Sequence, residues 1–397
     1  MRDSTSKFQV YIMKKTLAAL AVLGAFAGTA AAADVTLYGV VDTGLAYTYD
    51  DWTDEPKEET FGMMSGYNAV SRFGIKGTED LGNGLQVGFM LENGFSSDDG
   101  NFKYDGRLFG REASLSLMSE FGTFSFGRMG GVASSAGTYD IVYATADAFD
   151  GGDNDILGLQ ISSRYDNMLT YQTPKFAGVQ GTVQYSFKQS NTNKEDAGAE
   201  GTSKADRYAS FALTGDFGPL QMVGAYELSK YGNTKDVNDK THDETHAFYL
   251  GGNYDLQFMK VFALAQYTKG AKGFGSEADL FKDSGAVSGY EKGIDSYGLH
   301  LGTIIPVAGG DLTVGAYYVD GDTDTVTFGG DESAKFDAKF DLTYVGLSAR
   351  YVYPLSKRTS LYAGAGYAEE KAELNVADSS EIKHKIGQAY AGITHTF

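Results

Sequence analysis

The segment Asp80-Leu81-Gly82-Asn83-Gly84-Leu85-Gln86-Val87-Gly88-Phe89-Met90-Leu91-Glu92 decides the fold. A tight Gly-Asn-Gly turn runs directly into a strand whose residues alternate. Leu85, Val87, Phe89 and Leu91 fall on one face, and Gln86, Gly88, Met90 and Glu92 fall on the other. Comparable short connections recur at Ser119–Gly122, Pro174–Gly178, Asp216–Pro219, Asp255–Gln257, Pro306–Gly310 and Pro354–Lys357. Between them lie long acidic, Gly-rich stretches at 50–66, 96–106, 130–161, 188–205, 230–244, 269–292, 320–337 and 368–383. Seven short and eight long connections join sixteen strands. An even-stranded antiparallel sheet with short turns on one rim and long loops on the other is the pattern of an all-β, up-and-down transmembrane barrel.

Other segments repeat the alternation. Val345, Leu347, Ala349, Tyr351 and Tyr353 oppose Tyr344, Gly346, Ser348 and Arg350, while Phe248, Leu250, Tyr254 and Leu256 oppose Tyr249, Gly251, Asn253 and Asp255. A soluble sandwich would alternate in the same way, so size separates the two. Sixteen strands run in one linear meander with only 5 Pro in the chain and no linker to divide it, which leaves residues 34–397 as a single barrel. Closure removes every sheet edge, as lipid demands. The stretch Phe109–Arg128 breaks the pattern, because Arg111 shares parity with Leu115 and Leu117, and Arg128 with Phe124 and Phe126. A subunit interface hidden from lipid and a β-bulge both account for it.

Upstream, Met13-Lys14-Lys15 precedes an apolar run from Thr16 to Gly28 and then Thr29-Ala30-Ala31-Ala32-Ala33. A basic head, a short apolar core and small residues read as an export signal over residues 1–33, with Met13 an alternative start. The apolar core is too short to span a bilayer as a helix. Zero cysteines exclude a disulfide scaffold. Loss of the leader removes four bases and one acid and takes the net charge from −19 to −22. So acidic a chain repels nucleic acid.

The motifs in order resemble the Gram-negative general porins, the β-proteobacterial type in particular. Asp34–Asp42 is similar to their opening strand, Ser71–Gly82 to their second strand and first turn, and Phe109–Ala113 with Phe121–Thr123 and Gly127-Arg128 to their fourth and fifth strands. Arg164–Tyr171 through Pro174 and Gly178 resembles the strand after their constriction loop, and Ala391–Phe397 resembles their ending in phenylalanine. The resemblance implies a homotrimer in the outer membrane, in contact with lipid and lipopolysaccharide. It also implies insertion by the barrel-assembly machinery with Phe397 as signal, and passage of small hydrophilic solutes and ions. A solute-specific channel or a surface adhesin on the same barrel is the alternative.

The resemblance further implies that the third long loop, Gly131–Ile161, folds inward. That loop carries Asp140, Asp147, Asp150, Asp153 and Asp155, with no Lys or Arg between Val132 and Ser163. The same resemblance places Arg72, Arg111 and Arg164 on the opposing wall, and Arg72 shares a face with Gly74 and Lys76. Acid facing guanidinium would set a field across the pore. Five carboxylates against three guanidiniums lead us to expect modest cation preference. An acidic vestibule of Asp50, Asp51, Asp54, Glu55, Glu58, Glu59, Asp320, Asp322, Asp324 and Asp331 would strengthen it at low salt.

Two metal-like patterns fail on spacing. His242 and His246 lie about 13 Å apart on a strand, too far to share one ion. Asp320, Asp322 and Asp324 begin like a calcium loop, but Thr325 and Asp331 occupy its glycine and glutamate positions. No nucleophile elbow, phosphate loop or dinucleotide fingerprint is present, so no cofactor and no enzymatic role is expected.

Overall fold

A computed structural model describes residues 33–53, 55–135, 137–154, 156–192, 198–232, 242–274, 286–329, 335–375 and 381–397. Apart from Ala33, the expected leader lies outside them, as do Asp54, Asp155 and Asp331. The strands, in order, are β1 (Ala33–Trp52), β2 (Glu58–Ser65), β3 (Arg72–Gly82), β4 (Leu85–Gly94), β5 (Glu112–Ser119), β6 (Gly122–Gly130), β7 (Arg164–Gln172), β8 (Val179–Ser186), β9 (Arg207–Phe217) and β10 (Leu220–Lys230). They continue as β11 (Thr245–Asp255), β12 (Lys260–Ala271), β13 (Ala286–Ser288), β14 (Ile294–Val307), β15 (Gly310–Thr323), β16 (Val326–Phe328), β17 (Phe336–Ala338), β18 (Phe340–Pro354), β19 (Thr359–Leu374) and β20 (Glu381–Thr396). One helical turn, α1 (Val142–Ala146), interrupts the third long loop.

Seventeen of these strands form one sheet, yet they make sixteen staves. β2 and β3 are two parts of one stave, since β1 pairs with β2 over Thr43–Asp50 and with β3 over Ala33–Val40. The break between them is built around Asp42, a fully buried carboxylate that accepts from Tyr362 Oη (2.8 Å), Thr394 Oγ1 (2.5 Å) and the Gly66 N–H (3.1 Å). Gly66 takes φ 85°, where a side chain would be strained, and the chain rejoins the sheet at Arg72. All neighbouring staves are antiparallel. The seam closes from Val40↔Thr396 to Trp52↔His384, and Phe397 finishes it by exchanging backbone hydrogen bonds with Gly39 (3.0 and 3.1 Å). β13, β16 and β17 form a small separate sheet among the loops.

The barrel is apolar outside. Leu115, Leu250, Leu299, Leu301, Val345 and Leu347 are all exposed, while Gln184, Gln266, Ser348 and Gln388 are buried. Phe121, Phe176, Phe217 and Phe258 ring the short-turn rim, and Tyr47, Tyr297, Tyr318 and Tyr367 lie exposed toward the loop end. An apolar band between aromatic girdles around a polar interior suits lipid outside and water inside. Leu299→Arg, in the middle of β14, is therefore expected to cost about 2–4 kcal/mol in unfolding measured in vesicles. An unchanged midpoint would mean that this face does not meet lipid.

All seven tight connections fall where the sequence places them. The stretches 50–66, 320–337 and 368–383 hold more strand than expected, because β1 runs to Trp52, β15 to Thr323 and β19 to Leu374. Their acidic composition reflects water around hairpins that still pair, as in Asp50↔Glu58 and Glu369↔Lys385. In the irregular stretch the ladder between β6 and β7 shifts register at Gly127/Met129, which is a bulge. There Arg128 donates to Gly110 O (2.8 Å) and pairs with Asp166 (2.7 Å), which also binds Arg107 (2.6 Å).

Candidate functional site

Residues 131–163 leave β6 on the long-loop side and fold into the barrel. Val132, Val142, Tyr143, Ala146 and Ile156 are fully buried, in one cluster with Tyr249, Leu264, Tyr317 and Tyr344 of the wall. Apolar burial of this kind is the main reason the loop stays inside. Its orientation is set by polar contacts taken in turn from successive strands. Thr138 N–H donates to Glu112 on β5 (3.0 Å), and Ala133 N–H to Glu227 on β10 (3.1 Å). Asn253 on β11 donates to Thr145 O (2.7 Å), while Gln266 on β12 exchanges two 2.9 Å bonds with the Gln160 backbone. Ala148 N–H donates to His300 Nε2 (3.3 Å), and Nδ1 of that ring lies 3.2 Å from Ala316 O. The pairing holds the imidazole as the neutral Nδ1–H tautomer.

The loop aspartates divide into two sorts. Asp147 is 3% exposed; it accepts from Tyr317 Oη (3.1 Å) and from the Phe149 and Gly152 N–H groups. Asp153 is fully buried, accepts from Ser348 and from Tyr390 Oη (2.6 Å), and lies 3.6 Å from Arg350. These two carboxylates face the wall. Asp140 and Asp150 keep open surface toward the lumen. They sit together, and burial plus the neighbouring Asp150 carboxylate raise Asp140 above the usual carboxylate range; Asp150 is raised as well, chiefly by burial. Two carboxylates in contact titrate as a pair that shares a proton.

Glycines on the inner wall make room for the loop. A Cβ at Gly251 would meet Ala146 at 2.7 Å, one at Gly302 would meet Ala148 at 2.6 Å, and one at Gly366 would meet Ile156 at 2.7 Å. At Gly298 it would run into Leu159, and at Gly315 it would meet the Phe149 ring at 3.0 Å. The loop thus lies on a smooth track that crosses β11, β14, β15 and β19.

Across the lumen, the three expected arginines form one cluster. Arg72 Nε lies 3.5 Å from Glu92 Oε2, and Arg111 Nε donates to Glu92 Oε1 (2.6 Å). Tyr38 Oη donates to the same carboxylate (2.9 Å). Arg111 also donates to Tyr104 Oη (3.0 Å), and the Arg164 guanidinium stacks 4.7 Å above that ring. Asp150 lies within electrostatic reach of Arg72 and Arg350, and Asp140 within reach of Arg164. Glu92, Tyr104 and Arg350 were not singled out from sequence, although the inward parity of Glu92 and Arg350 was visible there. Arg111 precedes its strand, so parity does not apply to it.

His246 Nδ1 sits 2.8 Å from Tyr226 Oη, and the ring of His242 packs against Tyr231 and Tyr290. Among the described residues no group of three or more His, Cys, Asp or Glu could hold a metal ion.

A closed sixteen-stave barrel, apolar outside and polar inside, with one loop seated in its lumen, is an outer-membrane channel. The chain belongs to the Gram-negative porin family, whose model matches residues 18–373. An outer membrane porin of Bordetella pertussis is 34% identical over 97% of this chain and 100% of its own. Outer membrane porin protein 32 of Delftia acidovorans is 30% identical over 96% and 95% of the two chains. Among solved structures, an anion-selective porin from Comamonas acidovorans superposes with a TM-score of 0.59 at 24% identity, covering 92% of this chain and 100% of that one. The protein is an outer-membrane channel for passive diffusion in a Gram-negative bacterium.

Proposed function

We propose that diffusion through this channel is limited at residues 131–163, where Asp140 and Asp150 on the loop face Arg72, Arg111 and Arg164 on the wall. The carrying observation is that the loop is fixed to the inner wall by contacts from β5 round to β20. Asp153 is offset by Arg350, Glu92 offsets one wall guanidinium, and the Asp140–Asp150 pair holds back a proton. Charge in the constriction is therefore close to balance, and the sequence count of five against three overstates its acidity. Modest cation preference comes instead from the acidic vestibule, which acts over about 8 Å at physiological salt and farther in dilute salt.

Reversal potentials in asymmetric salt test this reading. The parent is expected to be almost unselective in molar salt and to favour cations increasingly as salt falls. Arg72→Ala should move it toward cations, Asp150→Asn alone should change it little near neutral pH because the pair already holds one proton, and Asp140→Asn with Asp150→Asn should move it toward anions. Raising the pH through the elevated range of Asp140 strips the shared proton, adds one negative charge and should also move it toward cations. Asp150→Asn should flatten that pH dependence. Strong anion selectivity at low salt would contradict the assignment.

The finer assembly belongs to the same proposal. The wall that carries the exposed Phe124 and Phe126 faces a neighbour in a homotrimer, so bilayer conductance should rise in groups of three. Residues 1–33 act as the export signal, and Phe397, stitched to Gly39, serves the assembly machinery.

A further inference from the structure

The stave made by β2 and β3 carries more chain than its neighbour has room for. β1 pairs Thr43 with Ser65 and Val40 with Arg72, so the six residues 66–71 stand opposite only Val41 and Asp42. The surplus cannot stay in the ladder, and it leaves on the inner side. There the Tyr67 ring packs against Ala46, Tyr362 and Tyr390, which are buried inside the barrel. Residues 66–70 keep part of their surface open, and from that position it opens to the lumen.

This ledge meets the constriction from two sides. Val70 O accepts from Arg72 Nη1 (3.0 Å), and Tyr67 O accepts from Arg350 Nη1 (3.3 Å). Asn154, exposed on the third loop, donates to the same Tyr67 carbonyl (3.5 Å). The two guanidiniums within reach of Asp150 are thus both tied to one short run of backbone. That run is itself held from behind. Asp42 Oδ1 accepts from the Gly66 N–H and from Tyr362, Ser71 Oγ donates to Asp42 O (3.0 Å), and Asn68 Nδ2 donates to Thr394 Oγ1 (2.9 Å).

We propose, on the reading that residues 131–163 limit diffusion, that residues 66–71 are a second jaw of the constriction and that Asp42 is its positioning residue. Asp42 is fully buried and touches no solute; it sets pore width and the places of Arg72 and Arg350 through the ledge. Place matters because the pull of a charge on a passing ion falls with distance and is largely screened beyond about 8 Å. A guanidinium tied to a fixed carbonyl keeps one distance from the solute path. Once released, it spreads over the lumen and acts less.

Reversal potentials in asymmetric salt and sugar uptake by liposomes test the proposal. Asp42→Ala takes the acceptor from Tyr362 and Thr394 and the nearer one from Gly66. A neutral trisaccharide should then enter faster relative to a monosaccharide. The shift produced by Arg72→Ala should shrink in that channel to about half or less, since residues in one network are not additive. Asp42→Asn keeps Oδ1, the atom that serves both Gly66 and Tyr362, and should restore the full Arg72→Ala shift. Tyr67→Ala removes the packed ring without touching a ladder hydrogen bond and should act as Asp42→Ala does, whether or not Asp42→Ala assembles. A full-sized Arg72→Ala shift in the Tyr67→Ala channel, or in an assembled Asp42→Ala channel, would overturn the proposal and leave the third loop as the constriction. No Arg72→Ala shift in the parent would overturn the loop reading and the second jaw with it.

Discussion

A channel carrying leucine at both Gly298 and Gly366 is expected to conduct roughly half as much as the parent, because the loop has no spare space behind it. At Gly366 even a Cβ would sit 2.7 Å from Ile156, and at Gly298 it would overlap Leu159. Both residues of the loop are buried, Ile156 completely and Leu159 to 4% exposure. A wall of closed β-strands cannot retreat outward without breaking ladders on two sides, so the loop is the part that yields. It can yield only toward the lumen. Large uncharged sugars should be slowed more than salt in liposome swelling, since the lost space lies at the narrowest section. Parent-like conductance from a folded double variant would mean that residues 156–159 do not border the pore.

Releasing the loop should act in the opposite direction. Asp147→Ala with Asp153→Ala removes the acceptors for Tyr317, Ser348 and Tyr390 and leaves Arg350 without its carboxylate. Hydrogen bonds to a charged group are worth about 1.5–3 kcal/mol each, and a stranded partner costs more. The apolar cluster and the Gln388 bond to Asp153 O still hold the loop at its ends, so these losses loosen the segment from Asp147 to Asp153 rather than expel it. Single-channel conductance is therefore expected to rise, with open-channel noise several-fold above the parent. Asp140→Asn with Asp150→Asn, which alters charge without touching the wall, should leave the noise unchanged. Equal noise in the two double variants would show that Asp147 and Asp153 do not hold the loop.

Much of this was legible in the chain because its turns and faces obey local rules. Gly82, Asn83 and Gly84 all take positive φ at the first tight turn, as a Gly-Asn-Gly run readily does, and Ala308 with Gly309 does so at another. Inward parity was equally plain for Gly346, Ser348 and Arg350. What local rules could not supply was the partner across space. Nothing near Asp153 in sequence says that Ser348, Gln388 and Tyr390 meet it from strands 195 to 237 residues away. For the same reason, five aspartates looked alike until the wall turned two of them aside. The glycine track carried a signal that went unused, since Gly298, Gly315 and Gly366 sit at inward positions where a larger residue would otherwise fill the barrel. Polar hairpins at 50–66 and 368–383 misled because acidity marks exposure to water, and a strand beyond the membrane is as wet as a loop.

A water-filled barrel narrowed by its own third loop should pass solutes by diffusion alone. Single-channel conductance of the purified protein in planar bilayers, followed from millimolar to molar salt, tests it most directly. Current is expected to scale with bulk conductivity for chemically unrelated salts, to depart toward cations only in the dilute range, and to rise when Asp147 and Asp153 are removed. Current that saturates with one ion species, or no conductance from correctly folded protein, would contradict it.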